Sequence, residues 1–221
     1  MDKNLSRPGS REDLIAALTE DLTPVRRVNP VEGGMLIGTA TLIAFGLSVF
    51  FYQFWTGLVT GQASGYFWIT HGLLMVLGVS STAALVASSR PRVGIRANAP
   101  VWSAAMLAIL PVAAIIGLFS LGASHTHEGL NDPAAYMCTR ASVLAGLLVA
   151  ATAVVWLRRG APVSIERSAW LTGLAAGSLG TLAYGITCPL DSLSHVGLWH
   201  VAPVAISAVI ARVVVPPLIR W

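Results

Sequence analysis

The sequence predicts an all-α, polytopic membrane protein with six transmembrane helices and both termini in the cytosol. Three observations carry this reading. Of the residues, 55% are hydrophobic and 11% charged, where a soluble domain carries about 25% charged residues. Six apolar windows are each long enough to cross about 30 Å of hydrocarbon, and none contains Asp or Glu. Finally, 13 of the 14 basic residues fall on one side of those windows, and Arg140 alone falls on the other.

The windows are residues 35–55, 67–87, 101–121, 138–157, 169–187 and 199–218. In lipid every backbone polar group must be satisfied within its own segment, and the short alternating strands of a barrel are absent, so the windows are helices. Residues 1–33 precede them as a cytosolic N-terminal segment, and residues 34–221 form the membrane domain. Because those first residues are polar and lead into a full-length span, no cleavable signal peptide is expected.

Within the N-terminal segment, "SREDLIAALTEDLTPVRRVNP" (residues 10–30) reads as a short helix. Ser10 with Asp13 marks its start, Leu14, Leu18 and Leu22 with Ile15 form an apolar stripe, and Pro24 stops it. The opposite face mixes Arg11, Glu12, Glu20 and Asp21, unlike a basic membrane-surface helix. About three turns do not hold together alone in water, so the stripe is expected to dock in a partner's groove or pack on the membrane domain.

The spans carry packing signals. Gly34 and Gly38 in the first, and Gly173, Ala176, Gly177 and Gly180 in the fifth, are small residues at helical spacing that let backbones approach. Pro111 lies inside the third, and Pro203 falls in the first turn of the sixth, where it costs least. Trp55, Tyr66, Phe67, Trp68 and Trp199 are expected in an interfacial aromatic belt. No span has an Asp, Glu or Lys near its middle, which argues against a transporter or proton pump.

The arginine asymmetry sets orientation: the N-terminal segment, the loops after the second and fourth spans and the C-terminus lie in the cytosol. This also explains the net charge of +4 without nucleic acid. Both cysteines and all five histidines then fall on the extracytoplasmic side. Cys138 opens span four and Cys188 ends span five; His125 and His127 lie in the loop after span three, His195 in the last loop, and His71 and His200 about one turn inside the membrane. A thiolate and an imidazole suit soft metals, which makes Cys138, Cys188, His200 and His195 the candidate ligands. A disulfide staple or two small buried hydrophobes are the alternative readings of the cysteines. His71, beside Thr70, reads as a hydrogen-bonded anchor, and "HTHE" (residues 125–128) as a solvated loop.

The tail "DLIAALTEDLTPVRRVNP", the cytosolic "RRGAP" (residues 158–162), the cysteine at the head of span four, "CPLDSLSHVGLWH" (residues 188–200) and the terminal "PPLIRW" together resemble the NrsF family of membrane-bound anti-sigma factors over nearly the whole chain. The resemblance implies a non-enzymatic, multi-pass protein of the bacterial inner membrane. Its N-terminal segment, here Leu14, Ile15, Leu18, Leu22, Arg26 and Arg27, would hold an extracytoplasmic-function sigma factor inactive, with no direct contact to nucleic acid. A heavy metal or oxidant would release it through the family's cysteine pair, carried over to Cys138 and Cys188, with a soft metal ion bound there transiently. The chain departs from the family pattern at His200, where tyrosine is the more usual residue, and in "SHTHEGL" (residues 124–130). Two other classes fit the composition: a haem-binding or redox membrane protein with His71 and His200 as axial ligands, and a metal-handling permease subunit. Neither accounts for the amphipathic tail.

Overall fold

The computed structural model describes residues 11–20, 29–90, 98–121 and 129–219. Of the sequence expectations, those on Ser10, Leu22, Pro24, Arg26, Arg27, His125 and His127 lie outside these residues, as does the side chain of Leu14. Among the described residues the secondary structure is entirely helical: α1 (Arg11–Glu20), α2 (Pro30–Tyr52), α3 (Gly65–Ser88), α4 (Ala99–Leu121), α5 (Ala135–Leu157), α6 (Ile165–Gly185), α7 (Leu193–Trp199) and α8 (Ala202–Ile219), with a single 3-10 turn at Thr56–Leu58.

Local chemistry sets the helix starts. Asn29 caps α2 through Val31 N–H and is followed by Pro30, which has no N–H to lose. Ser64, Ser164 and Ser192 cap α3, α6 and α7 through the N–H groups of Phe67, Arg167 and His195. Among the described residues, five segments are long and apolar enough to cross a membrane: Pro30–Tyr52, Gly65–Ser88, Ala99–Ser120, Ala135–Leu157 and Leu193–Ile219. The last joins α7 to α8, so the expected sixth span begins six residues earlier than residue 199.

Helix α6 differs from these five. It has 21 residues, of which 15 are buried, and it packs chiefly on α8, α5 and α3. A Cβ on Gly173 or Gly177 would lie 2.5 or 2.6 Å from the α8 backbone, and one on Gly180 would lie 2.4 Å from the Gly146 nitrogen in α5. Close approach replaces bulk at these contacts, so the central helix meets its neighbours through glycine, alanine, serine and threonine as well as leucine. Its hydroxyls are satisfied without water: Thr172, Ser178 and Thr181 donate to the carbonyls of Ser168, Leu174 and Gly177.

Two expectations are corrected. Gly34 and Gly38 are exposed, and none of the described residues comes within 4 Å of an added Cβ on either. The buried stripe of α2 instead runs through Gly33, Ile37, Ala40, Ala44 and Ser48, one residue out of phase, and Gly33 makes room for the Trp156 ring. Phe67 is not part of an aromatic belt: it is buried and stacks on His71 with ring centroids 3.9 Å apart. Tyr66 and Trp68 beside it do face outward. Pro203 lies in the first turn of α8 and Pro111 inside α4, as expected.

The helices alternate in direction, so the bundle has two distinct ends. At one, Arg159 pairs with Glu32, Arg212 pairs with Glu166, and Ser89 O accepts from Ala161 N–H. At the other, the chain after α6 is tied to the start of α3, where Asp191 accepts from Ser64 N–H and Ser64 Oγ–H donates to Asp191 O, and Trp55 N–H donates to Ile186 O.

Candidate metal centre

This second end gathers both cysteines and the three described histidines, His71, His195 and His200. Cys138 projects from the first turn of α5, Cys188 lies three residues beyond α6, His195 is in α7, and His200 sits in the two-residue break between α7 and α8. All four side chains are buried, and one donor atom from each lies within 4.8 Å of the others. The sulfurs are 3.7 Å apart and both cysteines are free. His195 Nε2 is 3.4 Å from Cys138 Sγ and 3.5 Å from Cys188 Sγ. Tyr184, whose ring packs edge-on against Tyr52, places its hydroxyl 3.5 Å from Cys138 Sγ.

The hydrogen-bond network fixes which ring nitrogens carry protons. Asp132 Oδ2 accepts from His195 Nδ1–H at 2.5 Å, leaving the lone pair of His195 on the Nε2 that faces both sulfurs. The Phe67 carbonyl can only accept, so His71 Nδ1, 2.8 Å from it, is the protonated nitrogen. His71 Nε2 then accepts from His200 Nδ1–H at 3.3 Å, and the lone pair of His200 is on Nε2. That atom is fully buried and has no hydrogen-bond partner among the described residues. His71 reaches His200 only because residue 185 is glycine: a Cβ there would lie 2.1 Å from His71 Nε2.

The centre is therefore two sulfurs and two imidazole nitrogens, one of them on His195 in contact with both sulfurs and the other, His200 Nε2, without a partner among the described residues, each imidazole held from behind. The hydrogen bond shared with Cys138, together with burial, pushes the Cys188 thiol up, so a proton stays on that sulfur unless a cation takes its place. A soft cation is the ligand such a donor set accepts. The direct contact between His71 and His200, ring centroids 5.3 Å apart, leaves no space for a haem iron held axially between them, which removes that reading.

All four metal-ligand candidates from the sequence thus meet, one donor atom of each within 4.8 Å of the others. His195, placed in the last loop by the sequence, lies instead on α7. The sequence reading missed Asp132, Tyr184 and the orienting contact of His71. Asp132 precedes the α5 start by three residues, where its other carboxylate oxygen accepts from Ala134 N–H, and this helix-start pattern was the available signal. Ile15 and Leu18 of the expected partner-binding stripe lie on α1 and are 52% and 65% exposed.

No curated protein and no solved structure matches the chain. A family model described as negative regulator of sigma F matches residues 18–221, which covers α2 through α8, every residue of the metal-ligand cluster and the end of α1. The chain belongs to the NrsF family and is a negative regulator of a sigma factor.

Proposed function

We propose that this chain is a six-span anti-sigma factor of the bacterial inner membrane with both termini in the cytosol. In this reading the segment around Ile15 and Leu18 holds an extracytoplasmic-function sigma factor inactive. A soft metal or an oxidant arriving at Cys138 and Cys188 from the extracytoplasmic side releases it. The observation that carries the reading is the pair itself: two unbonded sulfurs 3.7 Å apart, joining α5 to the segment after α6 at the end of the bundle opposite Arg159 and Arg212. A metal would bridge them as thiolates, and an oxidant would take two electrons as the two thiols lose their protons and form a disulfide.

The length of α6 and its place among the apolar helices support counting it as the fifth of six spans, since a helix covered by protein on most sides needs little lipid-facing bulk. The exposed Ile15 and Leu18 on a helix of 10 residues support a docking role, because so short a helix gains stability by burying its stripe. Release requires two bundle arrangements that present α1 differently and that the signal biases.

Co-purification of the sigma factor with the full chain, before and after cadmium or a thiol oxidant, tests the reading. The complex is expected at rest and lost after treatment; a sigma factor that stays bound overturns it. A reporter active only in the cytosol, expected to work after Trp221 and within residues 89–100 and to fail within residues 122–137, tests the orientation.

A further inference from the structure

The three measured edges of the cluster have the dimensions of a metal site. In a tetrahedral centre with metal–sulfur bonds of about 2.3 Å and metal–nitrogen bonds of about 2.0–2.1 Å, sulfurs lie roughly 3.8 Å apart and each sulfur lies roughly 3.6 Å from a nitrogen. The corresponding separations here are 3.7, 3.4 and 3.5 Å. They form one triangular face, and a nitrogen of His200, whose buried Nε2 has no partner among the described residues, lies within 4.8 Å of all three. Burying an unpaired polar atom such as His200 Nε2 is costly, and a cation held between it, His195 Nε2 and the two sulfurs would satisfy it.

We propose that Cys138, Cys188, His195 and His200 form a closed, four-coordinate site that holds one zinc-class divalent ion in the resting protein, with Asp132 and His71 orienting its two imidazoles. The proposal rests on the reading of this cysteine pair as the signal-receiving end, and adds to it that the pair is already occupied before any stress. Two thiolates neutralise a divalent ion, so the loaded centre carries no net charge of its own, and the two thiol protons leave to water as the ion binds. Four protein ligands leave no open position for substrate, the arrangement of a structural rather than a catalytic zinc. The ion would join the start of α5, the segment after α6, α7 and the α7–α8 break at one point. Cadmium would then act by exchange into a filled site. Asp132 and His71 are positioning residues: each holds the proton on the nitrogen that faces away from the centre.

The test uses the full chain purified in detergent from cells grown without added metal. Elemental analysis is expected to give one zinc per chain. After zinc is removed, Co(II) is expected to produce the visible bands of a tetrahedral centre together with sulfur-to-cobalt charge transfer. His200→Gln is expected to change the ligand-field bands while keeping the charge transfer, and Asp132→Asn or His71→Leu to weaken zinc binding by about 10–100-fold with both sets of bands retained. Metal-free wild-type protein that gives no tetrahedral Co(II) spectrum overturns the proposal, as do bands indifferent to His200→Gln, and neither reading needs a variant that loses its fold. Protein that carries no stoichiometric metal as purified yet releases its sigma factor with cadmium overturns the resting ion and leaves sensing intact; zinc-loaded protein that keeps its sigma factor under cadmium upholds the site and overturns sensing.

Discussion

The two ends of the bundle treat polar groups in opposite ways. At the end carrying Arg159 and Arg212, the charged side chains pair with Glu32 and Glu166 while remaining 40–62% exposed. At the other, Cys138, Cys188, His195, His200 and His71 are all buried, and the rings and sulfurs satisfy one another or stay bare. Water solvates the first set whatever its partners do, so its pairs contribute about 0–1 kcal/mol each. The second set has no solvent to fall back on, and each member depends on its neighbours. The chain therefore concentrates conditional chemistry at one end and solubilising charge at the other.

The sharpest way to break that contrast is to remove a sulfur. Cys138→Ser and Cys188→Ser are each expected to abolish induction by cadmium or oxidant in a sigma-dependent reporter while leaving basal repression in place. Normal induction in both variants would make the buried end as passive as the exposed one. Loss of repression without stress would make the pair a staple of the resting state.

The next largest effect lies outside the bundle. Leu18 is 65% exposed on α1, so Leu18→Glu should leave the membrane domain's stability unchanged and yet weaken sigma-factor binding by about 2 kcal/mol, roughly 30-fold, if this face enters an apolar groove. Co-purification at matched membrane levels measures it. Arg26→Ala and Arg27→Ala should cost less, about 1 kcal/mol or under, as charges at an interface rim do. Unchanged binding in Leu18→Glu removes α1 as the docking element.

The middle of the bundle decides whether the two ends are mechanically joined. A Cβ at Gly146 would lie 2.5 Å from the Ala176 carbonyl oxygen, a backbone atom that cannot rotate aside. Gly146→Ala is therefore expected to push α5 from α6 and cost about 1–3 kcal/mol in detergent unfolding. It should also shift the cadmium concentration for release, because α5 and α6 lead directly to the two cysteines. A stability loss without such a shift would separate packing from signalling.

These cases show which parts of the molecule the sequence discloses. Apolar windows of about 20 residues report spans because lipid leaves the backbone one solution, and serine or asparagine before a helix reports its start through local hydrogen bonds. Rotation of a helix about its axis is less accessible. Gly34 and Gly38 have the right spacing for a contact, but α2 turns Gly33 and Ile37 inward instead, because the fit of the Trp156 ring selects the face and that ring is more than 100 positions away. The same holds for the metal-ligand cluster. The topology sends both cysteines to one end, whereas the lone pair on His200 depends on a relay through His71 to the Phe67 carbonyl, and its first step joins rings 129 positions apart, which no local pattern encodes. Asp132 and Tyr184 enter the cluster by the same kind of long-range packing.

The smallest effect is expected where the sequence showed most charge. Arg159 Nη1 lies 3.3 Å from Glu32 Oε1 and links the loop after α5 to the first turn of α2, with the two side chains 52% and 41% exposed. A long, solvated side chain loses rotamer freedom when it pairs, and water and salt screen what it gains. Arg159→Gln should therefore change unfolding stability by less than about 1 kcal/mol, leave sigma-factor release by cadmium as it was, and lose even its small effect at about 1 M salt, where the screening length falls to about 3 Å. Paired with Glu32→Gln in a double-mutant cycle, the coupling should come out at a few tenths of a kcal/mol, about the size measured for exposed pairs elsewhere. A coupling as large as the cost of Gly146→Ala would mean that the exposed end also fixes the helix arrangement, and the asymmetry between the two ends would be one of chemistry alone.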